Sequence, residues 1–358
     1  FNMGRFFSAI LVLMVFSPVF CLGQGNASWI YGFDDRVEFL DYDGRFFYAS
    51  SRNRVSALDW NGIAVWSHVF PDFISSMRHF GGGLIVATGD GGVYVFDHQG
   101  GIRFFAEVPA VVVYQQGLDA TEDGVLLGAS NGNTFFYGWD GGLSWSFKSP
   151  GYVLAVRDWS EGVLVVSDEN IYLLDGSGNI VVERVLDGFI RSFDVEDDHL
   201  VLVNNRGVVY FYDSRLNLAW SKSVGGVVGV VDLNFPHVSL GDREGGMTLL
   251  GFGGELVFRK NHSDSIVATG LSKTGVMAGD RNGVLRIYDL DGVLKKSMKV
   301  DGTPLGVVLT NTTLACSTSS GRVYSFKVPY TSSFDVKVFA VGFVFFVIIS
   351  FLILLKAW

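Results

Sequence analysis

Cysteine is almost absent from the sequence, which contains only Cys21 and Cys316. Proline is scarce as well, and no long stretch repeats apolar residues at the spacing of an amphipathic helix. A dense disulfide framework is therefore excluded, and a fold that alternates helices and strands is disfavoured. Cys316 ends a short apolar run, where we expect a buried structural thiol and not a reactive one.

Basic residues are in the minority, since 27 lysines and arginines stand against 36 aspartates and glutamates, for a formal net charge of −9. No basic stripe is available to neutralise phosphates, so nucleic acid is excluded as a partner. The sequence contains no metal-binding motif either, because the histidines show no paired spacing and the cysteines cannot build a thiolate site. The histidines are His68, His79, His98, His199, His237 and His262.

Glycine and aromatic residues are abundant, and they recur in one repeated phrase. In residues 209–220 an alternating run ends at Asp213, a polar turn follows, and Trp220 closes the next run seven residues after the aspartate. This pattern indicates two strands joined by a hairpin. Copies of it recur at intervals of 37 to 41 residues, and the aspartate position is occupied in turn by Asp59, Asp97, Gly138, Asp175, Asp213, Gly251, Asp289 and Lys327.

A period near 40 residues that contains several short strands is typical of a β-propeller, because one four-stranded sheet cannot bury both faces alone. Eight copies predict an all-β, eight-bladed propeller over residues 24–329. In the second blade we place strands at about 74–80, 84–88, 93–97 and 102–107. The eighth copy lacks its outermost strand, and residues 26–33, which include Trp29, have no partner of their own. The sequence therefore predicts that this N-terminal run closes the ring.

The run from Ala57 through Asp59 and Gly62 to Trp66 resembles the pyrroloquinoline-quinone-like (PQQ-like) propeller repeat, whose signature is alanine-x-aspartate, a glycine and a closing tryptophan. The resemblance extends over about residues 28–328. It implies the propeller architecture of a family that includes quinoprotein dehydrogenases and non-catalytic, BamB-like propellers of outer-membrane assembly. The chain departs from the signature in its shorter turns and in closing residues such as Val182.

The two ends of the chain differ from the repeats. Arg5, an apolar run at 6–20 and small residues up to Gly23 indicate a signal peptide over residues 1–23. Residues 338–355 carry no charge and would extend about 27 Å as a helix, enough for a transmembrane segment. A linker at 330–337 and a cytoplasmic tail at 356–358 complete a single-pass cell-membrane protein whose propeller faces the extracytoplasmic side. A glycolipid-anchor signal is the alternative for this end, but its spacer would be short.

Three sequons lie in the part predicted to be exported, and they make Asn26, Asn261 and Asn311 possible N-glycosylation sites.

Catalytic motifs are few. Residues 128–132 match the G-x-S-x-G nucleophile elbow around Ser130, but that motif works at a strand-to-helix turn. The repeat places it in a strand-to-strand hairpin, so a hydrolase is not favoured. Fragments of a calcium loop start at Asp41 and Asp289 but lack the later ligands. The sequence therefore identifies no catalytic, cofactor-binding or metal-binding residue.

A set of acidic residues recurs near the end of the innermost strand, and the same place carries His79, Thr269 and Thr310 in the second, seventh and eighth blades. Either each aspartate caps its own turn, or the side chains converge at one mouth of the channel as a ring that binds a ligand or a cation such as Ca²⁺. This candidate ring consists of Asp41, Asp119, Asp158, Asp194 and Asp232.

These features favour a membrane-anchored, extracytoplasmic propeller that binds a protein or a glycan as a scaffold. An enzyme is the alternative: the resemblance implies a PQQ-dependent dehydrogenase, whose relatives often carry adjacent cysteines at the cofactor. This chain has no such pair. A BamB-like envelope assembly factor is the third hypothesis, and it differs from the first only in its partner.

Overall fold

A computed structural model describes residues 26–112 and 116–328. The segments predicted as signal peptide (1–23), linker (330–337), transmembrane helix (338–355) and tail (356–358) lie outside these residues. Among the described residues, no helix is long and apolar enough to span a membrane.

The described chain forms eight antiparallel sheets of four strands each. Blades 1 to 7 take four consecutive strands each, from β2–β5 to β26–β29, and blade 8 consists of β30–β32 and β1. The strands are β1 Trp29–Gly32, β2 Phe39–Tyr42, β3 Phe47–Ser51, β4 Arg54–Leu58, β5 Ala64–Val69, β6 Ile74–Phe80, β7 Gly83–Thr88, β8 Gly92–Phe96, β9 Ile102–Glu107, β10 Leu118–Ala120, β11 Gly124–Gly128, β12 Asn133–Gly138, β13 Leu143–Lys148, β14 Val153–Trp159, β15 Gly162–Ser167, β16 Asn170–Leu174, β17 Ile180–Val185, β18 Ile190–Glu196, β19 His199–Asn204, β20 Val208–Tyr212, β21 Leu218–Ser223, β22 Val228–Asn234, β23 His237–Asp242, β24 Gly246–Leu250, β25 Leu256–Asn261, β26 Ile266–Ser272, β27 Gly275–Asp280, β28 Val284–Tyr288, β29 Leu294–Lys299, β30 Pro304–Leu309, β31 Thr313–Thr318 and β32 Arg322–Lys327.

The first strand of each blade lies at the centre of the ring. Strands β22, β26 and β30 contact one another in order, and β30 contacts β2 of the first blade. Strand β1 pairs antiparallel with β32, so that Trp29 lies opposite Ser325. The predicted eight-bladed architecture and its closure by the N-terminal strand are both confirmed. Closure in this way pairs the outer edge of β32 and gives blade 8 the same four strands as the other blades.

The aspartate of the repeat organises the hairpin between the third and fourth strands. In blade 1 an Oδ1 of Asp59 accepts the backbone N–H groups of Asn61 and Ile63 at 2.8 and 2.9 Å. Asp97 and Asp213 make the same pair of contacts in their blades. A short carboxylate suits this position because it satisfies turn amides that no strand can pair.

The closing aromatic of one blade packs on the turn glycine of the next. A Cβ at Gly62 would lie 2.5 Å from the Trp29 ring, and one at Gly178 would lie 2.8 Å from Trp145. These glycines also have φ values of 75° and 81°, which L side chains rarely adopt. The Trp29 indole then donates to the carbonyl oxygen of Trp60 at 2.9 Å. Glycine is therefore required here both by backbone conformation and by space.

Blades 4 and 5 show what happens when the closing aromatic is missing. Val182 occupies the closing position, and the turn glycine of the next blade is replaced by Leu216, which has a φ of 55°. Leu216 is fully buried in the cluster against which Val182 packs. The leucine side chain fills the space of the absent indole, so this interface remains packed. The backbone of Leu216 is strained as a result.

The hydrophobic core is divided among the interfaces between blades. One cluster joins Ile85 of blade 2 to Leu127 of blade 3, and another joins Leu202 of blade 5 to Leu173 of blade 4. Cys316 is fully buried in the cluster between blades 7 and 8, and burial raises the pKa of its thiol to about 12. Its predicted role as a buried structural thiol is confirmed.

The G-x-S-x-G motif lies in the hairpin between β11 and β12, as the repeat predicts. The backbone N–H of Ser130 donates to the carbonyl oxygen of Val111 at 3.1 Å. A nucleophile elbow needs a helix to follow its strand, and here β12 follows.

The glycine requirement can be tested within a single turn. We expect Gly178→Ala to reduce the free energy of unfolding by about 1–3 kcal/mol, because the added Cβ collides with the Trp145 ring and the positive φ is retained. Gly176→Ala, two residues away with nothing within 4 Å of its Cβ position, is the matched control and should be close to neutral. Equal denaturation midpoints for the two variants would contradict this account of the blade interface.

Candidate functional site

The cross-strand register defines one equivalent position in each innermost strand. Asp194 lies opposite Val201, and Asp232 lies opposite Ser239 in the same place of the next blade. We call the eight residues at this position the charged ring. They are Asp41, Arg78, Asp119, Arg157, Asp194, Asp232, Gly270 and Val308.

The register brings together four of the five aspartates in the sequence-based ring. In blade 4 it places Arg157 at the ring position, and Asp158 lies one residue further along the strand. Successive side chains of a strand point to opposite faces, and Asp158 accordingly lines a separate cavity of about 300 Å³ with Trp145 and Trp159. Burial and the nearby charge of Asp119 raise the pKa of Asp158.

Each of the four ring aspartates reaches across to the next blade. The Oδ2 of Asp41 accepts the backbone N–H of His79 at 2.7 Å, and that of Asp194 accepts the N–H of Leu233 at 2.8 Å. Asp119 and Asp232 make the same contact one blade further on, with the N–H groups of Asp158 and Leu271. The innermost strand is a sheet edge whose amides lack strand partners. These carboxylates therefore connect neighbouring blades.

Other residues cap the turn between the first and second strands of a blade. Asp43 accepts the N–H groups of Arg45 and Phe46, both at 2.7 Å. Thr121 and Thr310 cap the corresponding turns of blades 3 and 8 through their hydroxyl groups. The interpretation of the ring aspartates as caps of their own turns is thus replaced by a link between blades.

Charges alternate around blades 1 to 4. Asp41 lies 2.8 Å from the imidazole Nδ1 of His79, and Asp119 lies 3.1 Å from Nε of Arg78. Burial opposes ionisation of Asp41, but its hydrogen bonds and the nearby charges of His79 and Arg78 outweigh burial and lower its pKa to about 2. In this half of the ring every carboxylate has a cationic or imidazole neighbour.

Arg157 completes the alternating half from a buried position. Only 3% of its surface is exposed, and its guanidinium donates to the carbonyl oxygens of Val156 at 2.6 Å and Gln116 at 3.1 Å. Burial and the repulsion of Arg78 lower its pKa to about 9, whereas Asp119, Asp194 and Asp41 oppose that shift. Arg157 remains a cation at neutral pH.

Blades 5 and 6 place two carboxylates side by side without a cation between them. Burial raises the pKa of Asp194, and burial together with the charge of Asp194 raises that of Asp232 well above its usual range. Both line a cavity of about 310 Å³ at the end of the innermost strands, together with Glu196. The small residues Gly270 and Val308 at the next two ring positions leave this space open.

The other site residues predicted from the sequence are possible glycosylation sites and metal ligands. Asn26, Asn261 and Asn311 are all exposed, as acceptors of glycans must be. Within the described ranges, no three side chains of histidine, cysteine, aspartate or glutamate come together in an arrangement suited to a metal ion. Asp194, Asp232 and Glu196 line one cavity, but they do not form such a group.

The opposite mouth of the channel carries a feature that the sequence analysis missed. In blades 2, 4, 5 and 6 the residue directly before the innermost strand accepts a backbone hydrogen bond from the loop after the second strand, as Tyr152 does from Asp168. In blade 3 the residue that accepts this bond is Val111, which directly precedes the bridge residue Val112. All five residues at this position are apolar or aromatic and exposed, and we call them the apolar arc. They are Phe73, Val111, Tyr152, Phe189 and Val227. The signal was present in the sequence as one apolar residue in each of five repeats, but only the structure aligns these residues.

The fold and the two mouths define the chain as an eight-bladed β-propeller with a charged channel. No family model matches the sequence, and no curated protein matches it either.

Solved structures do resemble it. The computationally designed Ika8 protein is 16% identical with a TM-score of 0.75, over 86% of this chain and 100% of Ika8. BamB from Moraxella catarrhalis is 17% identical with a TM-score of 0.68, over 85% of this chain and 100% of BamB. Chaetomium thermophilum Sqt1, bound to the N-terminus of the ribosomal protein L10, is 15% identical with a TM-score of 0.69, over 85% of this chain and 100% of Sqt1. Likeness at this identity establishes the fold.

Two neutralising substitutions in the ring should act in opposite directions. Asp232→Asn keeps an oxygen for the Leu271 amide and removes a charge that burial and Asp194 disfavour, so we expect the unfolding free energy at pH 7.5 to rise by about 1 kcal/mol, or ~2–4 °C in Tm. Asp41→Asn loses a favourable charge beside His79 and Arg78, so we expect a decrease of similar size.

The pH dependence of stability follows from the pKa shifts of Asp232 and Asp41. A raised pKa means that the folded state binds more protons, so the destabilisation by Asp232 is absent below pH 3.8, grows as pH rises from 3.8 to its folded pKa and is constant above that pKa. The advantage of Asp232→Asn should therefore shrink as pH is lowered. The contribution of Asp41 is present above pH 3.8 and is lost as pH falls towards 2. Melting curves from pH 2 to 8 measure both, and a destabilised Asp232→Asn would contradict the unpaired-carboxylate account.

Proposed function

We propose that this chain is a membrane-anchored, extracytoplasmic propeller that holds a protein partner as a non-catalytic scaffold. The observation that carries the proposal is the apolar arc. Tyr152 is 65% exposed, Phe189 54% and Phe73 49%, and they lie at equivalent positions around one mouth. Phe73 and Tyr152 line one groove. Exposed apolar patches mark interaction sites, and aromatic residues dominate the energetics of such sites.

The related solved propellers support the same class of function. Chaetomium Sqt1 is bound to the N-terminus of another protein, and BamB and Sqt1 share the fold over most of this chain. A BamB-like assembly factor is one form of this proposal, and it differs in its partner alone. A glycan partner is less well supported because the arc offers few hydrogen-bonding groups.

The scaffold function can be tested by crosslinking in the cells that express the protein. A photoreactive amino acid in place of Tyr152 should give discrete adducts of higher mass, because a partner covers the arc. The control position is Val185, which is 73% exposed on the outer strand β17. Adducts that are absent at position 152, or identical at the two positions, would contradict a partner on this mouth.

The membrane anchor rests on the apolar segment at 338–355. We expect protease added to intact cells to leave a C-terminal tag uncut, because the tail at 356–358 faces the cytoplasm. The tag should become cleavable after permeabilisation, and antibody access to the propeller in intact cells provides the control for orientation. Cleavage of the tag in intact cells would exclude this topology.

A further inference from the structure

The apolar arc deepens into a groove at blades 2 to 4. Its volume is about 380 Å³, and its walls are almost entirely carbon. The lining side chains are those of Phe73, Val111, Val112, Tyr152, Val153 and Leu154, with the small hydroxyl residues Ser75 and Ser130 at the sides. Three of these residues, Phe73, Val111 and Tyr152, belong to the arc, so the groove is continuous with the surface assigned to the partner.

The groove is held open by the packing of its aromatic residues. A Cβ at Gly89 would lie 2.2 Å from Cε1 of Phe73, so the phenyl ring fits at the rim of the groove only because residue 89 has no side chain. The backbone N–H of Gly89 also donates to the carbonyl oxygen of Phe73 at 2.8 Å. Tyr152, at the other rim, has no hydrogen-bond partner for its hydroxyl among the described residues, so that group is available to a ligand.

Three aspartates adjoin residues that line or shape this groove. Asp72 directly precedes Phe73, Asp90 follows Gly89, and the N–H of Asp168 donates to the carbonyl oxygen of Tyr152 at 3.1 Å. None of the three forms an ion pair within the described part of the chain. The hydrogen bonds that Asp90 accepts from the Thr88 hydroxyl and the Gly92 amide, 2.6 and 3.3 Å long, lower its pKa against the opposing effect of burial and keep it ionised.

The sign of the charge changes further around the same mouth. In blade 5 the loop carboxylate of Asp187 is paired with Arg206. The loop position that Asp168 occupies in blade 4 is taken by Arg243 in blade 6 and Arg281 in blade 7. The three carboxylates beside the groove have no ion-pair partner among the described residues, in contrast to Asp187. Basic residues also lie close by. The ammonium group of Lys148 is engaged by the carbonyl oxygen of Asn131, and the carbonyl oxygen of Arg52 accepts the N–H of Ile74 at 2.7 Å.

We propose that this groove binds a short apolar segment of the partner protein that carries basic residues on its flanks. The inference rests on the proposed scaffold function and adds the partner's chemistry. The apolar walls of the groove supply affinity for leucine- or phenylalanine-like side chains. The carboxylates of Asp72, Asp90 and Asp168 select against acidic flanks and speed the encounter with basic ones.

The test uses the purified full-length protein and three labelled peptides. The first has a core of leucine and phenylalanine with two lysines at each end, the second has glutamates in place of the lysines, and the third keeps the lysines around a serine core. Fluorescence anisotropy at low salt should show the first peptide binding at least tenfold more tightly than either of the others. The difference between the first two should shrink as salt is added, since screening weakens exposed charges.

Variants separate the groove from the rest of the arc. Tyr152→Ser should weaken binding of the first peptide at least tenfold, whereas Phe189→Ser, an exposed aromatic of the same arc outside the groove, should leave it unchanged. The double change Asp72→Lys and Asp168→Lys should reverse the preference between basic and acidic flanks. All of these positions lie at the surface, and unchanged melting temperatures would confirm that the variants are folded.

Several results would overturn the inference. Equal affinity for basic and acidic flanks would remove the charge selection even if crosslinks from position 152 still appear in cells, so the scaffold function would survive it. Absence of those crosslinks would instead remove the scaffold function. Loss of a concentration-dependent dimer in Tyr152→Ser, measured by light scattering, would show that a second copy of this chain occupies the groove.

Discussion

Every blade of this propeller depends on the contact between a closing side chain and the turn of the next blade. At five of the eight interfaces this contact pairs an indole or phenyl ring with a glycine, as with Trp29 over Gly62. Because it repeats around the ring, it fixes the angle between blades and brings the innermost strands together at the centre. The charged ring and the apolar arc are consequences of that convergence, since neither exists within a single repeat.

The centre of the ring is electrostatically uneven. Arg78 and Arg157 compensate the carboxylates of one half, and the other half holds Asp194 and Asp232 beside open space. All four aspartates still connect neighbouring blades through a backbone amide. The same hydrogen bond between blades can thus be made by an aspartate whose ionised form is favoured in one blade and disfavoured in another. Burial and the neighbouring charges differ between the two places.

The two mouths of the channel differ in chemical character. The mouth at the end of the innermost strands is acidic and contains a polar cavity, whereas the mouth at their start presents aromatic and aliphatic side chains. This separation follows from alternation along the repeat: turn-forming aspartates lie on one side and the loops with Phe73 or Tyr152 on the other. A partner that binds at the second mouth gains binding energy by burying this apolar surface. The acidic rim selects partners by their charge.

The sequence alone determined the number of blades, the hairpin aspartates and the closure by the strand around Trp29, because these are local patterns repeated at a constant interval. It also indicated the aspartates near the centre of the ring, but it could not assign Asp158 correctly with respect to Arg157. One residue of register decides which face of a strand a side chain occupies, and register is set by pairing with the neighbouring strand and by bulges such as the one after Val153. The groove, the pairing of Arg78 with Asp119 and the substitution of Leu216 for a glycine depend on contacts about 30 to 40 residues apart, so only the tertiary structure decided them.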